Sequence, residues 1–142
     1  MTEKQFEGQV LAWAYSNGIW LNVYDSKAKP TLRGHYQAQG IPVGTPDLLG
    51  IDRQGKFVAI ELKRPGPPAI PSLEQYRFLL RVIESNGFAV CSNQLSLISS
   101  LYQSWVKSPC QKHLKAHLPS KVYHGKPRRI LDLSRNESLL GT

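Results

Sequence analysis

A chain of 142 residues with 41% hydrophobic and 20% charged residues has the length and composition of one compact globular domain. Its net charge of +8 and isoelectric point near 9.7 are not ordinary; they point to a polyanionic partner, nucleic acid before an anionic membrane surface. No apolar run approaches the ~20 residues of a membrane span, the N-terminus lacks the apolar core of a signal peptide, and Cys91 and Cys110 alone do not make a disulfide framework. A cytoplasmic protein is expected.

Thr2 and Gln5 have capping-box spacing, and Phe6, Val10 and Trp13 recur at helical intervals until Asn17-Gly18 breaks the pattern. A helix is therefore expected over 3–16, with Glu7 beside its apolar stripe and Glu3 one turn earlier on the same side. Residues 19–24 alternate as a strand. Residues 25–45 form a long irregular segment carrying Lys27, Lys29, Arg33 and His35; long loops in compact domains are usually functional or disordered, and this basic one suits phosphate contacts or plain solvation.

Strands are expected over 46–52 and 56–63, joined by a polar turn that holds Gly55. In the second, Val58, Ile60 and Leu62 share one face, and Phe57, Ala59, Glu61 and Lys63 the other. Glu61 and Lys63 thus point the same way, roughly 6.6 Å apart, beside the point where Asp47 emerges from the first strand. Two carboxylates and an ammonium on one hairpin face make a metal site with a positive group beside it; the plain alternative is a Glu–Lys pair on an exposed sheet face. Pro65 ends the strand, since it cannot donate to a ladder, and the proline-rich stretch to Pro71 is a rigid extended turn.

Ser72 caps the next helix, with Gln75 at the second capping-box position and Tyr76, Leu79, Leu80 and Ile83 as its core face, up to Asn86-Gly87. Residues 88–91 are a short buried strand, and 94–106 a helix with Leu97, Ile98, Leu101 and Trp105 facing inward. The main domain is drawn as 1–106. Residues 107–142, broken by Pro109, Pro119 and Pro127 and rich in basic residues, are drawn as a C-terminal extension. Cys110, His113, His117 and His124 are of zinc-ligand type, but their loose spacing reads as scattered solvated side chains.

Gly44-Thr45-Pro46-Asp47, the hairpin, Glu61-Leu62-Lys63 and Ser72-Leu73-Glu74-Gln75 together resemble the PD-(D/E)xK nuclease superfamily, and within it the VRR-NUC (virus-type replication-repair nuclease) family. The likeness spans roughly 3–102. It implies an α/β fold with a mixed central sheet flanked by helices in the order α-β-β-β-α-β-α. It also implies a Mg²⁺-dependent endodeoxyribonuclease, with Mn²⁺ able to substitute. Its catalytic residues would be Asp47, Glu61, Lys63 and Gln75, and its metal ligands Glu7 (or its rival Glu3), Asp47, Glu61 and the Leu62 carbonyl. Lys27, Lys29, Arg33 and Arg64 would contact nucleic acid.

Hydrolysis of a phosphodiester needs an oriented water and neutralisation of charge on the phosphoryl oxygens, both of which a divalent cation serves. Asp47 and Glu61 are hard oxygen ligands suited to Mg²⁺, which takes one or two carboxylates plus waters and substrate phosphate. Lys63 would orient water or hold the scissile phosphate; nearby carboxylates favour its charged form and so the phosphate role. Gln75 has two explanations, closing its helix cap or touching the attacking water. The resemblance to stand-alone viral members implies a homodimer acting on branched DNA such as Holliday junctions, in a bacterial or phage-infected cell. The rivals are a restriction-like or RNA-cleaving nuclease of the same core and a catalytically silent nucleic-acid-binding module.

Overall fold

A computed structural model describes residues 1–24, 29–30, 36–37 and 41–135. Helix α1 (Glu3–Ser16) starts at the expected capping box, in which Gln5 N donates to Thr2 Oγ1 (3.1 Å) and Thr2 N to Gln5 Oε1 (2.8 Å). Strand β1 (Trp20–Val23) follows, then a short antiparallel pair, β2 (Lys29–Pro30) with β3 (Tyr36–Gln37), inside the segment read as irregular. The hairpin is β4 (Leu48–Ile51) and β5 (Phe57–Leu62), with Asp47 just before β4. Helix α2 (Leu73–Glu84), β6 (Phe88–Ser92) and α3 (Leu95–Lys107) follow.

The central sheet has the order β1-β4-β5-β6, antiparallel except for the parallel β5–β6 pair. A parallel neighbour requires a crossover, and α2 supplies it. The chain is therefore a mixed α/β structure with a four-stranded mixed sheet flanked by helices: α1 touches α3, and all three crossover and terminal helices rest on β5 or β6. Of the sheet's two inner strands, β4 is buried at Leu48 and opens toward Ile51, while β5 is buried almost throughout. Val58, Ala59, Ile60, Glu61 and Leu62 are all buried, so β5 is covered on both faces and not half-exposed.

The segment after α3 is ordered into α4 (Gln111–Ala116), the hairpin β7 (Lys121–His124) and β8 (Arg129–Asp132), and a 3-10 turn at Leu133–Arg135. Leu114, Leu118, Val122 and Leu133 are buried in the same hydrophobic cluster as Leu79 and Phe88. Helix α4 packs on α2, and Tyr123 N donates to Pro71 O at 2.9 Å. The basic stretch drawn as an extension from composition is thus seated on the sheet's helices over 111–135. Its prolines delimit elements and its few leucines and valines anchor them.

Gly44 has φ of +90°, and a Cβ there would lie 2.7 Å from the Glu74 backbone carbon. Both the left-handed backbone and the contact with the start of α2 demand glycine. The approach brings the Thr45-Pro46-Asp47 entry to β4 against the N-terminus of α2. Among the described residues no helix is long and apolar enough to cross a membrane.

Candidate active site at the β4–β5 hairpin

Asp47 is pinned by its backbone. Its N–H donates to Glu61 Oε1 at 3.1 Å, and its carbonyl accepts from Tyr24 N at 2.8 Å. In return, its Oδ2 accepts the Leu62 N–H at 3.0 Å. The two acids are thereby cross-linked between the entry to β4 and the end of β5. This is the neighbourhood that strand alternation predicts for Asp47 and Glu61, with an interlock that alternation does not reveal.

Lys63, one residue beyond β5, reaches Glu61 Oε2 at 3.1 Å and Gln75 Oε1 at 3.1 Å. Gln75 Nε2 donates to Glu61 Oε2 at 3.0 Å. Gln75 also closes the cap of α2: its Oε1 accepts from Ser72 N (2.8 Å) and its N donates to Ser72 Oγ (3.1 Å). The two explanations for Gln75 are therefore compatible in part. It caps the helix and, through the same carboxamide, holds both Glu61 and Lys63.

Glu61 is 3% exposed. Burial and the Asp47 charge push its carboxyl up to about 7, against the pull of Lys63. Asp47 is raised as well, chiefly by burial, with its Leu62 hydrogen bond opposing. Two acids held together with a single lysine between them and the solvent favour a proton or a further cation. Mg²⁺ fits this donor set, because it needs only one or two carboxylates and fills the rest of its shell with water and phosphate. Among the described residues no three His, Cys, Asp or Glu side chains converge to hold an ion by themselves; Cys110, His113, His117 and His124 form no such group.

The α1 carboxylates separate. Glu7 pairs with Lys4 at 3.2 Å. Glu3 lines the groove beside Lys63 and Gln75, and its charge contributes to raising Asp47. Of the two rivals, Glu3 is the one whose charge acts on Asp47. The Leu62 peptide lies at the site through its N–H, and Arg64 is exposed at the groove's rim. Lys27 and Arg33 lie outside the described residues, and Lys29 is described only as backbone in β2.

The groove, about 680 Å³, was not legible in the sequence. One side carries Lys63, Ser72 and Gln75, and Tyr123, His124, Lys126 and Arg128 of the C-terminal hairpin also line it. A second feature missed by sequence reading is Asp52. It is 7% exposed, and its Oδ1 accepts from Gln54 N and Lys56 N at 2.9 Å each, tying the β4–β5 turn. Its Oδ2 meets the Tyr102 hydroxyl at 3.4 Å. The aspartate-glycine turn signal points to the first two bonds; the last requires α3 to arrive from fifty residues away.

No protein-family model matches the chain, and no curated protein matches it in sequence. The functional reading therefore rests on the residues themselves.

Proposed function

We propose that the protein is a Mg²⁺-dependent endodeoxyribonuclease that hydrolyses phosphodiester bonds at the Asp47–Glu61–Lys63–Gln75 cluster. The observation that carries the reading is the convergence of two interlocked carboxylates, both raised chiefly by burial, with a lysine and a carboxamide that line an open groove. A buried acid pair has no role in holding the fold that apolar residues would not serve better, and strongly perturbed carboxylates in a cleft mark functional sites.

Asp47 and Glu61 would hold the cation, which when bound neutralises charge on the phosphoryl group and acidifies its water. The chain's own residues supply the positioning. Lys63, fixed by Glu61 and Gln75, offers its ammonium to a non-bridging phosphate oxygen. Gln75 orients both partners and keeps its second amide hydrogen for a water or phosphate oxygen. The Leu62 and Asp47 N–H bonds keep the carboxylates from rotating away as charge develops. Glu3, on the groove wall, adds negative potential that favours a cation at the pair.

The finer reading is a two-fold homodimer resolving branched DNA: each chain carries one cluster, and paired cuts on strands of like polarity need two. Trp105 itself is 5% exposed and packs on Phe88 and Tyr102, so its ring is not available to a dimer contact.

A cleavage panel of labelled junction, flap and linear DNA and of RNA, with and without Mg²⁺, tests the reading. Metal-dependent cutting of DNA with preference for the junction is expected. Cutting of RNA in preference to DNA would promote the RNA-cleaving reading, equal cutting of linear and branched DNA the restriction-like one, and binding without cutting the silent module.

A further inference from the structure

We infer that the β7–β8 hairpin is the second wall of the substrate groove, gripping the phosphate backbone of DNA through Lys126 and Arg128. The inference deepens the nuclease reading and rests on it for the choice of DNA. Of the basic residues after 106, these two border the same groove as Lys63, whereas Lys112 and Lys115 lie on α4 and do not.

Three observations carry it. The first is charge. The groove is lined by Lys63, Arg64, Lys126 and Arg128 against the carboxylates of Glu3 and Glu74. Cations thus outnumber acids where an incoming strand would lie, and the acids belong to the α1 and α2 side. A concave surface of this sign concentrates a polyanion.

The second is rigidity. A phosphate contact is useful for cleavage only if its distance from the reacting bond is held. Tyr123 N donates to Pro71 O, and Tyr123 bridges in parallel to Ser72. Ser72 in turn bonds Gln75, which bonds Glu61 and Lys63. A continuous set of hydrogen bonds therefore joins the hairpin to the catalytic pair, and Val122, fully buried, nails the strand from below.

The third is the form of the exposed edge. The Arg128 guanidinium carbon sits 3.8 Å from the Tyr123 ring centre, stacked on its face. The stack holds the planar, always-charged group with its edge free to donate paired bonds to phosphate. Next to it, His124 Nδ1 is buried without a hydrogen-bond partner among the described residues.

The test reads binding apart from cleavage. Anisotropy of a labelled 30-base-pair duplex is measured in EDTA across a salt series, with wild type, Lys126→Ala/Arg128→Ala, Arg128→Lys and the control Lys112→Ala/Lys115→Ala. Both target side chains are exposed, so circular dichroism should match wild type. The double variant should weaken binding at least tenfold near 0.1 M salt. It should also flatten log K against log salt by about 1.8, two phosphates at about 0.9 each. Arg128→Lys should keep the slope and lose part of the affinity, and the α4 control should stay within about twofold. Unchanged binding by the double variant, or an equal loss in the α4 control, overturns the inference. RNA bound more tightly than DNA overturns the choice of DNA. Intact binding by wild type with no cutting in Mg²⁺ strikes the nuclease reading alone and leaves the hairpin's role standing.

Discussion

Asp47 and Glu61 hold each other through the backbone. The Asp47 N–H donates to the Glu61 carboxylate, and the N–H of Leu62, the residue after Glu61, donates to the Asp47 carboxylate. Each acid is therefore an acceptor fixed by the other's strand. Replacing either carboxylate by its amide keeps the shape while removing one of the two negative charges available to a cation. Asp47→Asn and Glu61→Gln should each lower Mg²⁺-dependent cleavage by about 10³-fold or more, several kcal/mol of transition-state stabilisation. DNA affinity should hold or rise, because a charge that repels phosphate is gone. Near wild-type cutting by either variant would remove the cluster from the chemistry.

The raised carboxyls predict an unusual pH response. Glu61 goes from 4.5 in the unfolded chain to about 7 in the fold, so the folded state holds its proton more tightly. The stability this contributes is fully present below 4.5 and is lost as pH rises through about 7, amounting to a few kcal/mol. In EDTA, Glu61→Gln should therefore raise Tm over wild type above pH 7, and the gap should close toward pH 4.5. Mg²⁺ binds the ionised pair, so the Tm increment it confers should grow with pH across the same window. A Mg²⁺ increment independent of pH would show that the cation binds elsewhere.

Ser72 and Gln75 share a helix cap, but only Gln75 bonds Glu61 and Lys63. Ser72→Ala removes the Oγ that accepts Gln75 N and should cost about 1 kcal/mol of stability, the usual value of an N-cap. Cleavage per folded molecule should change less than about threefold, since the Ser72 N–H still holds the Gln75 carboxamide. Gln75→Ala removes the bonds to Glu61 and Lys63 as well and should lower cleavage by about 10–100-fold, the range for losing a group that orients metal ligands. Equal effects of the two substitutions on activity would reduce Gln75 to its cap.

Asp52 is an acid of the opposite kind. It ties Gln54 N, Lys56 N and the Tyr102 hydroxyl, far from the groove. Asp52→Ala should destabilise by about 1–3 kcal/mol through loss of the three hydrogen bonds that tie the turn. Tyr102→Phe, which loses one long hydrogen bond and keeps its ring against Trp13 and Phe88, should cost about 1 kcal/mol. Chemical denaturation measures both. Loss of cleavage at temperatures where either variant is fully folded would contradict the separation of turn and site.

The sequence by itself determined the elements whose signals are local. Capping boxes at Thr2 and Ser72 start α1 and α2 as read, and period-two alternation with a glycine turn places β4 and β5 within two residues of their expected ends. Alternation also suffices to bring Glu61 and Lys63 to one side. What tertiary structure decided is everything that depends on which surfaces meet. The α1 periodicity puts Glu3 and Glu7 on one side; the packing of α1 sets Glu3 on the groove wall, where its charge acts on Asp47, and pairs Glu7 with Lys4. Composition after 106 reads as a basic extension because its apolar residues are sparse. Yet Leu114, Leu118, Val122 and Leu133 find partners already assembled by α2 and β6, and burial against a preformed surface needs no periodicity of its own. The same docking carries Lys126 and Arg128 to the groove lined by Lys63 and Arg64, bringing together residues some sixty positions apart as only the folded chain can.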